Sequence, residues 1–304
     1  MIAHVPVLTT EALAFLRPER GGLFVDCTVG LGGHAQALLE AGATRVLGLD
    51  RDTQALASAR ARLASYGDRV ELVHADFRSV DAVLGTRGIE TVDGALADLG
   101  VSSLQLDGTG RGFSFQRDEP LDMRKDTMIG ETAADLVARS TERELADAIY
   151  AFGEERHSRR IAKAIVNARR DQPIETTGRL ASVVRRAAGH RGYQRIDPAT
   201  RTFQALRIWV NRELEGLDQF LETVVRRLRA GGRLAVITFH SLEDRIVKHT
   251  FRALAKGASA AVALLTKKPV VPGDEEIERN PRARSAKLRA AERIAAGVSE
   301  VKHV

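Results

Sequence analysis

The chain has 304 residues, enough for one large domain or two ordinary ones, and its 44% hydrophobic and 28% charged content excludes wholesale disorder. Lys and Arg outnumber Asp and Glu 46 to 40, so the +6 surface either favours a polyanionic partner such as RNA or is simply rich in solvated arginine. The single cysteine, Cys27, excludes an internal disulfide or a cysteine-built zinc cluster, and no run approaches the roughly 18 apolar residues of a membrane span.

In chain order, Met1 to Leu16 lacks the hydrophobic region of a signal peptide, so a cytoplasmic protein with no membrane partner is expected. Leu23–Asp26 is a short buried strand that stops at an acid. Val29-Gly30-Leu31-Gly32-Gly33-His34 then turns into a helix over Ala35 to Ala41. A second strand from Arg45 ends in Asp50, twenty residues beyond Gly30, where an acid can accept hydrogen bonds from a ribose. These features describe a pocket for an adenosine-containing cofactor. Gly30, Gly32 and Ala35 satisfy the dinucleotide pattern G-x-G-x-x-G/A, which keeps NAD open. Asp26 and the lack of a Walker loop favour S-adenosylmethionine, which carries an amino group and a sulfonium.

Thr53 to Ala64 reads as a helix, and Val70–His74 and Val92–Ala97 as strands, so strand and helix alternate as in a parallel α/β sheet. No convincing strand follows between Asp107 and Arg195. Thr141-x-x-Glu144 is a capping box opening a helix through Phe152, and helices are also expected over Glu154 to Arg170 and Arg179 to Ala188. This segment, 108–195, reads as a helical insertion within an α/β domain formed by 1–107 and 196–304. Beyond it, Phe203, Leu206, Val210, Leu214 and Leu217 form one helical stripe, and a further helix to Arg229 is closed by Gly231-Gly232. Leu234–Phe239 is a strand, Leu242–Leu254 a helix, and Val262–Thr266 a short strand. The alternation around Ala286, Leu288 and Ala290 suggests an edge strand.

Open α/β sheets bind ligands beyond the carboxyl ends of their strands. Those ends carry Asp26 to His34, Asp50, Asp76-Phe77, Asp98 to Asp107, and Phe239-His240-Ser241. Asp98-Leu99-Gly100-Val101-Ser102-Ser103 is a loop of small and hydroxyl residues suited to a flat substrate. Phe77 is either an adenine-stacking ring or ordinary core. His240, Ser241 and Asp244 are the residue types of a hydrolase triad, but they are nearly contiguous and no G-x-S-x-G elbow is present. His34, His74 and His157 lack metal-ligand spacing, so no metal is expected. Arg156, His157, Arg159, Arg160, Lys163, Arg169, Arg170, Arg185, Arg186, Arg191 and Arg195 cluster in the insertion. Arg279, Arg282, Arg284, Lys287 and Arg289 form a second group, and both suit phosphate.

Eight motifs spread over nearly the whole chain resemble the RsmH (MraW) family of bacterial small-subunit rRNA methyltransferases. They are His4-Val5-Pro6-Val7-Leu8, the Asp26 to His34 turn, Asp98 through Asp107, Arg111-Gly112-Phe113-Ser114-Phe115, Pro120-Leu121-Asp122-Met123-Arg124, Ala199 through Ile208, Phe239 through Arg245, and Asn280 through Ser285. The resemblance implies a class I S-adenosylmethionine-dependent methyltransferase sheet, Rossmann-like, with an inserted helical domain that recognises RNA. It implies transfer of a methyl group from S-adenosylmethionine to N4 of one cytosine in the decoding centre of 16S rRNA, within the small ribosomal subunit. By position it assigns cofactor binding to Gly32, Gly33, His34, Asp50, Phe77, Asp98 and Gln105. Asp98 and Ser102 are the catalytic candidates, and the expected state is a monomer or weak homodimer. An NAD-dependent oxidoreductase and a non-catalytic RNA-assembly factor are the competing readings.

Overall fold

The computed structural model describes residues 6–100, 110–189, 197–257 and 259–295. Its helices are α1 (Thr9–Leu16), α2 (Gly33–Glu40), α3 (Thr53–Leu63), α4 (Val80–Gly85), α5 (Ala133–Arg139), α6 (Glu142–Gly153), α7 (Ser158–Asp171), α8 (Thr177–Ala188), α9 (Ala199–Asn211), α10 (Leu217–Arg227), α11 (Ser241–Leu254) and α12 (Asp274–Arg279). The strands are β1 (Leu23–Asp26), β2 (Arg45–Asp50), β3 (Val70–His74), β4 (Val92–Asp98), β5 (Leu228–Thr238), β6 (Val262–Leu264) and β7 (Lys287–Arg293). The chain divides into two compact units, Met1–Gly100 with Glu215–Val304, and Val101–Leu214.

The first unit is an α/β sheet in the order β3-β2-β1-β4-β5-β7-β6. β1 to β5 run parallel, and β7 runs antiparallel to both of its neighbours. Side chains of successive strand residues point to opposite faces. Val25, Leu47 and Ala95 therefore pack with Phe220 and Val224 of α10 and Phe251 of α11, whereas Phe24, Val46 and Leu96 pack with Leu38 of α2 and Leu56 of α3. This two-sided burial explains the continuous apolar runs of β1, β2 and β4. It also requires glycine where neighbouring layers close in. A Cβ at Gly94 would lie 2.5 Å from the Phe24 ring. Gly94→Ala is thus expected to destabilise the fold by about 1–3 kcal/mol, read from a chemical denaturation curve; an unchanged midpoint would remove this packing argument.

Two sequence expectations change here. The helix before β5 stops at Arg227, and Gly231-Gly232 lie inside β5 rather than capping a helix. Gly231 has φ +77°, and the β4–β5 register shifts between Val92 and Gly94, so the glycines serve a bulge. β7 is not an edge strand; β6 takes the edge. The polar member of its alternation, Arg289, is buried, and its guanidinium meets the Asp244 carboxylate at 2.7 Å.

Among its described residues the second unit holds helices and no strand. Capping boxes open α5, through Thr132 and Asp135, and α6, through Thr141 and Glu144. α9, expected in the α/β part, belongs to this unit, because Phe203, Ala205 and Leu206 complete its core with Leu145, Ile149 and Ile161. The unit boundary therefore falls after Leu214 rather than at 195. α9 ends at Arg212, which has φ +51°, so the expected stripe breaks there and Leu217 starts α10 in the other unit. No helix among the described residues is long and apolar enough to cross a membrane.

Candidate active site

The carboxyl ends of β1, β2, β3, β4 and β5 place the site. β1 stops at Asp26, and Gly30 (φ +51°) and Gly32 (φ +81°) bend the chain into α2, with Gly32 at its N-cap. Gly33 opens the helix, and a Cβ there would press on Pro6 and Arg62 at 3.0–3.1 Å. Asp50 fastens the loop from β2. One of its oxygens accepts the Gly30 N–H at 2.8 Å, and the other accepts the Asp52 N–H at 2.9 Å.

Asp26 is fully buried. Its Oδ1 accepts the Thr28 N–H at 3.2 Å, and burial, partly offset by His34, pushes its carboxyl up to about 7. His34, on the first turn of α2, is also buried. Burial pulls its imidazole down, but the carboxylates of Asp98, Asp26 and Glu276 outweigh this and raise it above the ordinary histidine range. Asp98 closes β4. Its N–H donates to Thr28 Oγ1 at 2.6 Å, and its Oδ2 lies 3.5 Å from His34 Nε2. At that distance the two attract without forming a good hydrogen bond.

Asp26 Oδ2, His34 Nε2 and Asp98 Oδ1 are thus buried polar atoms without a hydrogen-bond partner. Such atoms are costly unless a ligand or water completes them. Two carboxylate oxygens beside a glycine turn suit a cationic amino group, and Asp50 suits a diol.

The other expected site residues fall differently. Phe77, in a short 3₁₀ turn after β3, meets Phe220 edge-to-face with ring centroids 4.7 Å apart, and the Arg78 guanidinium lies 5.4 Å from its centroid. Asp76 is committed to Arg78, which approaches both of its oxygens at 2.7 Å. Although burial pushes the Asp76 carboxyl up, Arg78 and Arg51 hold it below the usual range. Ser102 and Gln105 lie outside the described residues. Asp244 is bound by Arg289, and its carboxyl is held down by that pair against the effect of burial, so no hydrolase triad forms with His240 and Ser241.

Sequence reasoning missed the partner of His240. Glu243, buried one turn into α11, accepts the Phe239 N–H at 3.0 Å and lies 3.1 Å from His240 Nε2. The H-x-x-E spacing at a helix start was the available signal. Beside it, Gly100 (φ +139°) lets the chain leave β4 against the Phe239 ring, 2.9 Å from where a Cβ would lie.

Several expected phosphate-binding arginines have structural work instead. Arg169 donates to the carbonyls of Val137 and Ser140, Arg160 to that of Ala188, and Arg185 to Asp197. Arg191 and Arg195 lie outside the described residues.

A family model described as the MraW methylase family matches residues 1–294. The chain is 54% identical over 291 residues to the ribosomal RNA small subunit methyltransferase H of Sorangium cellulosum, covering 96% of this chain and 91% of that one. It is 52% identical to the protein of the same name from Nitrobacter hamburgensis, covering 97% and 92%. Among solved structures, an rRNA methylase from Streptococcus thermophilus aligns over 96% of this chain and 100% of its own, at 14% identity and TM-score 0.44. A SAM-dependent O-methyltransferase from Thermotoga maritima aligns over 97% and 69%, at 10% identity and TM-score 0.42.

Proposed function

Because the chain belongs to the MraW methylase family, we propose that it methylates small-subunit ribosomal RNA, using S-adenosylmethionine to modify N4 of one cytosine in the decoding centre of 16S rRNA. The observation that carries the cofactor reading is the set of unpartnered buried atoms of Asp26, His34 and Asp98 beside the Gly30–Gly32 turn. A zwitterionic amino-acid moiety meets the needs of that set, and the Asp50 oxygens meet those of a ribose. A nicotinamide dinucleotide would bring a pyrophosphate to the same turn, where Asp98, and Asp26 when ionised, repel it.

When bound, the sulfonium supplies an activated methyl group. The protein's task is to align the cytosine amino group with it and to accept a hydrogen bond from that group. Alignment of this kind can contribute on the order of 7–11 kcal/mol. Asp98 is the proposed acceptor, through its unpartnered Oδ1, with His34 Nε2 3.5 Å from its other oxygen. Ser102 is a second candidate beyond the end of β4, and Phe77 and Gln105 complete the proposed cofactor contacts with Gly32, Gly33 and His34. The helical unit is the proposed RNA-recognition part, and the protein is proposed to work as a monomer or weak homodimer in the cytoplasm. The target base must leave its stack, at a cost of a few kcal/mol, so structured rRNA rather than free cytidine is the expected substrate.

Two measurements test this reading. Calorimetric titration should detect S-adenosylmethionine binding and none for NAD; the reverse would move the protein to the oxidoreductases. Asp98→Ala should lower the single-turnover methylation rate at saturating cofactor by about 10²-fold or more. An unchanged rate would end its catalytic role.

A further inference from the structure

We infer that the solvent face of α7 is a phosphate-tracking ridge, a surface built to lie along the backbone of a structured RNA. This rests on the RNA-methylating reading above and names the surface that would hold the substrate. Arg159, Lys163 and Arg170 are exposed and spaced four and seven residues apart. At 100° per residue they fall within roughly 40° of one another on the helix circumference, and at 1.5 Å per residue they span about 16 Å. Arg156, exposed just before the helix, extends the row. None of the four has an ion-pair or hydrogen-bond partner among the described residues.

Their isolation is unusual within this unit. Arg139 pairs with Glu131, Arg143 with Asp147, Arg185 with Asp197, Arg201 with Glu155 and Arg207 with Glu213. Asp171, the last residue of α7, is its only acid, and the neighbouring α8 has none. Exposed acids stand on α6, as Glu142, Glu144 and Asp147, and beside the ends of α7, as Glu154, Asp171 and Glu175, but none lies between Arg159 and Arg170 on α7 itself. Moreover, Arg159 and Arg160 stand in the first turn of α7, where the helix dipole disfavours cations. Glu155 offsets this only from a buried position, where it accepts the His157 N–H and pairs with Arg201. Arg170, in the last turn, is favoured by the dipole, but Arg159 is not, and a row of like charges that repel one another adds little to the fold.

What the row does suit is a line of anions. A nucleic-acid duplex carries about one charge per 1.7 Å of axis, so a 16 Å row faces several phosphates. A lipid surface suits it less, because the apolar side of α7, Ile161, Ala162, Ile165 and Val166, is buried in the unit and leaves no hydrophobic face to insert.

The test uses the full chain carrying Arg159→Gln, Lys163→Gln and Arg170→Gln together, with Arg143→Gln on α6 as the control. The probes are a labelled hairpin RNA, purified small ribosomal subunits, and phosphatidylglycerol vesicles. The triple variant should keep the wild-type melting temperature and bind hairpin RNA on the order of 10–100-fold more weakly. The slope of log affinity against log salt should flatten by about 2–3, one unit or slightly less per lost phosphate contact. On subunits KM should rise while kcat at saturation stays within about twofold, and Arg143→Gln should match the wild type throughout. Wild-type affinity and salt slope in the triple variant would overturn the ridge, as would loss of vesicle binding with RNA binding intact. If the wild-type protein methylates no rRNA yet the triple variant still loses RNA affinity and slope, the ridge stands and the methylation reading fails.

Discussion

Asp50→Ala is expected to weaken S-adenosylmethionine binding by on the order of 10²–10⁴-fold. Hydrogen bonds to a charged group are worth about 1.5–3 kcal/mol each, and a ribose diol offers two. The substitution also frees the Gly30 and Asp52 N–H groups, which Asp50 holds at 2.8 and 2.9 Å, so the turn that seats the cofactor loses its anchor. Asp50→Asn keeps an acceptor but not the charge, and should fall between the two. Calorimetry on variants with confirmed thermal transitions reads the effect. Wild-type affinity in Asp50→Ala would remove Asp50 from the cofactor site and with it the meaning of its position at the end of β2.

The second large effect is a pH dependence centred on Asp26. In the folded protein its carboxyl is pushed up to about 7, chiefly by burial, from an ordinary 3.8. Between those values the native state keeps a proton that the unfolded chain releases. Stability from this group is therefore fully present below pH 4 and is lost as pH rises through 7, a change of order 4 kcal/mol. His34 acts in the same direction, since its imidazole is raised and its contribution fades as pH rises. Asp26→Asn should remove most of the slope. Denaturant titrations should find the variant close to the wild type near pH 4 and more stable by a few kcal/mol at pH 8. Equal stability at pH 8 would contradict the burial argument.

The same group ties stability to binding. A cationic ligand beside Asp26 favours its ionised form, so cofactor affinity should climb as pH rises toward 7. Binding below that pH should release a proton, visible by calorimetry in buffers of different ionisation enthalpy. Asp26→Asn should bind the cofactor more weakly at pH 8 despite its greater stability. Stability set aside for a charged ligand in this way is expected at a functional site.

How much of this was legible in the sequence depended on how local the cause was. β1 matched its expected bounds because it is an apolar run ended by an acid, and β3 because Val70, Leu72 and Val73 mark a strand despite Glu71. The turn from Asp26 to His34 followed from glycine conformation, and Asp50 was singled out by its spacing as a ribose acceptor, but its bonds to the Gly30 and Asp52 N–H groups were not foreseen. Gly231-Gly232 misled because positive φ serves a helix cap and a strand bulge alike; only the β4 register decides between them. α9 was assigned to the wrong unit because an apolar stripe states that a face is buried, not against what. Phe203 and Leu206 would look the same in either core. β7 alternated like an edge strand because Arg289 is polar, and its burial depends on Asp244 reaching it from α11. The strand-end rule put Asp26, His34 and Asp98 on one rim, but the approach of His34 to Asp98 depends on how α2 packs and no spacing in the sequence gives it. The pairing of His240 with Glu243 was within reach at three residues, but attention to a hydrolase pattern pointed to Asp244 instead.

The most direct test of the central claim is methyl transfer itself. The purified protein is incubated with isotopically labelled S-adenosylmethionine and small ribosomal subunits from a strain lacking its gene, and the rRNA is digested to nucleosides for mass spectrometry. The expected result is label in N4-methylcytidine, at about one per subunit, with far less on free cytidine. Label at cytosine C5 or at a ribose 2′-hydroxyl, or no transfer at all with the cofactor demonstrably bound, would contradict it.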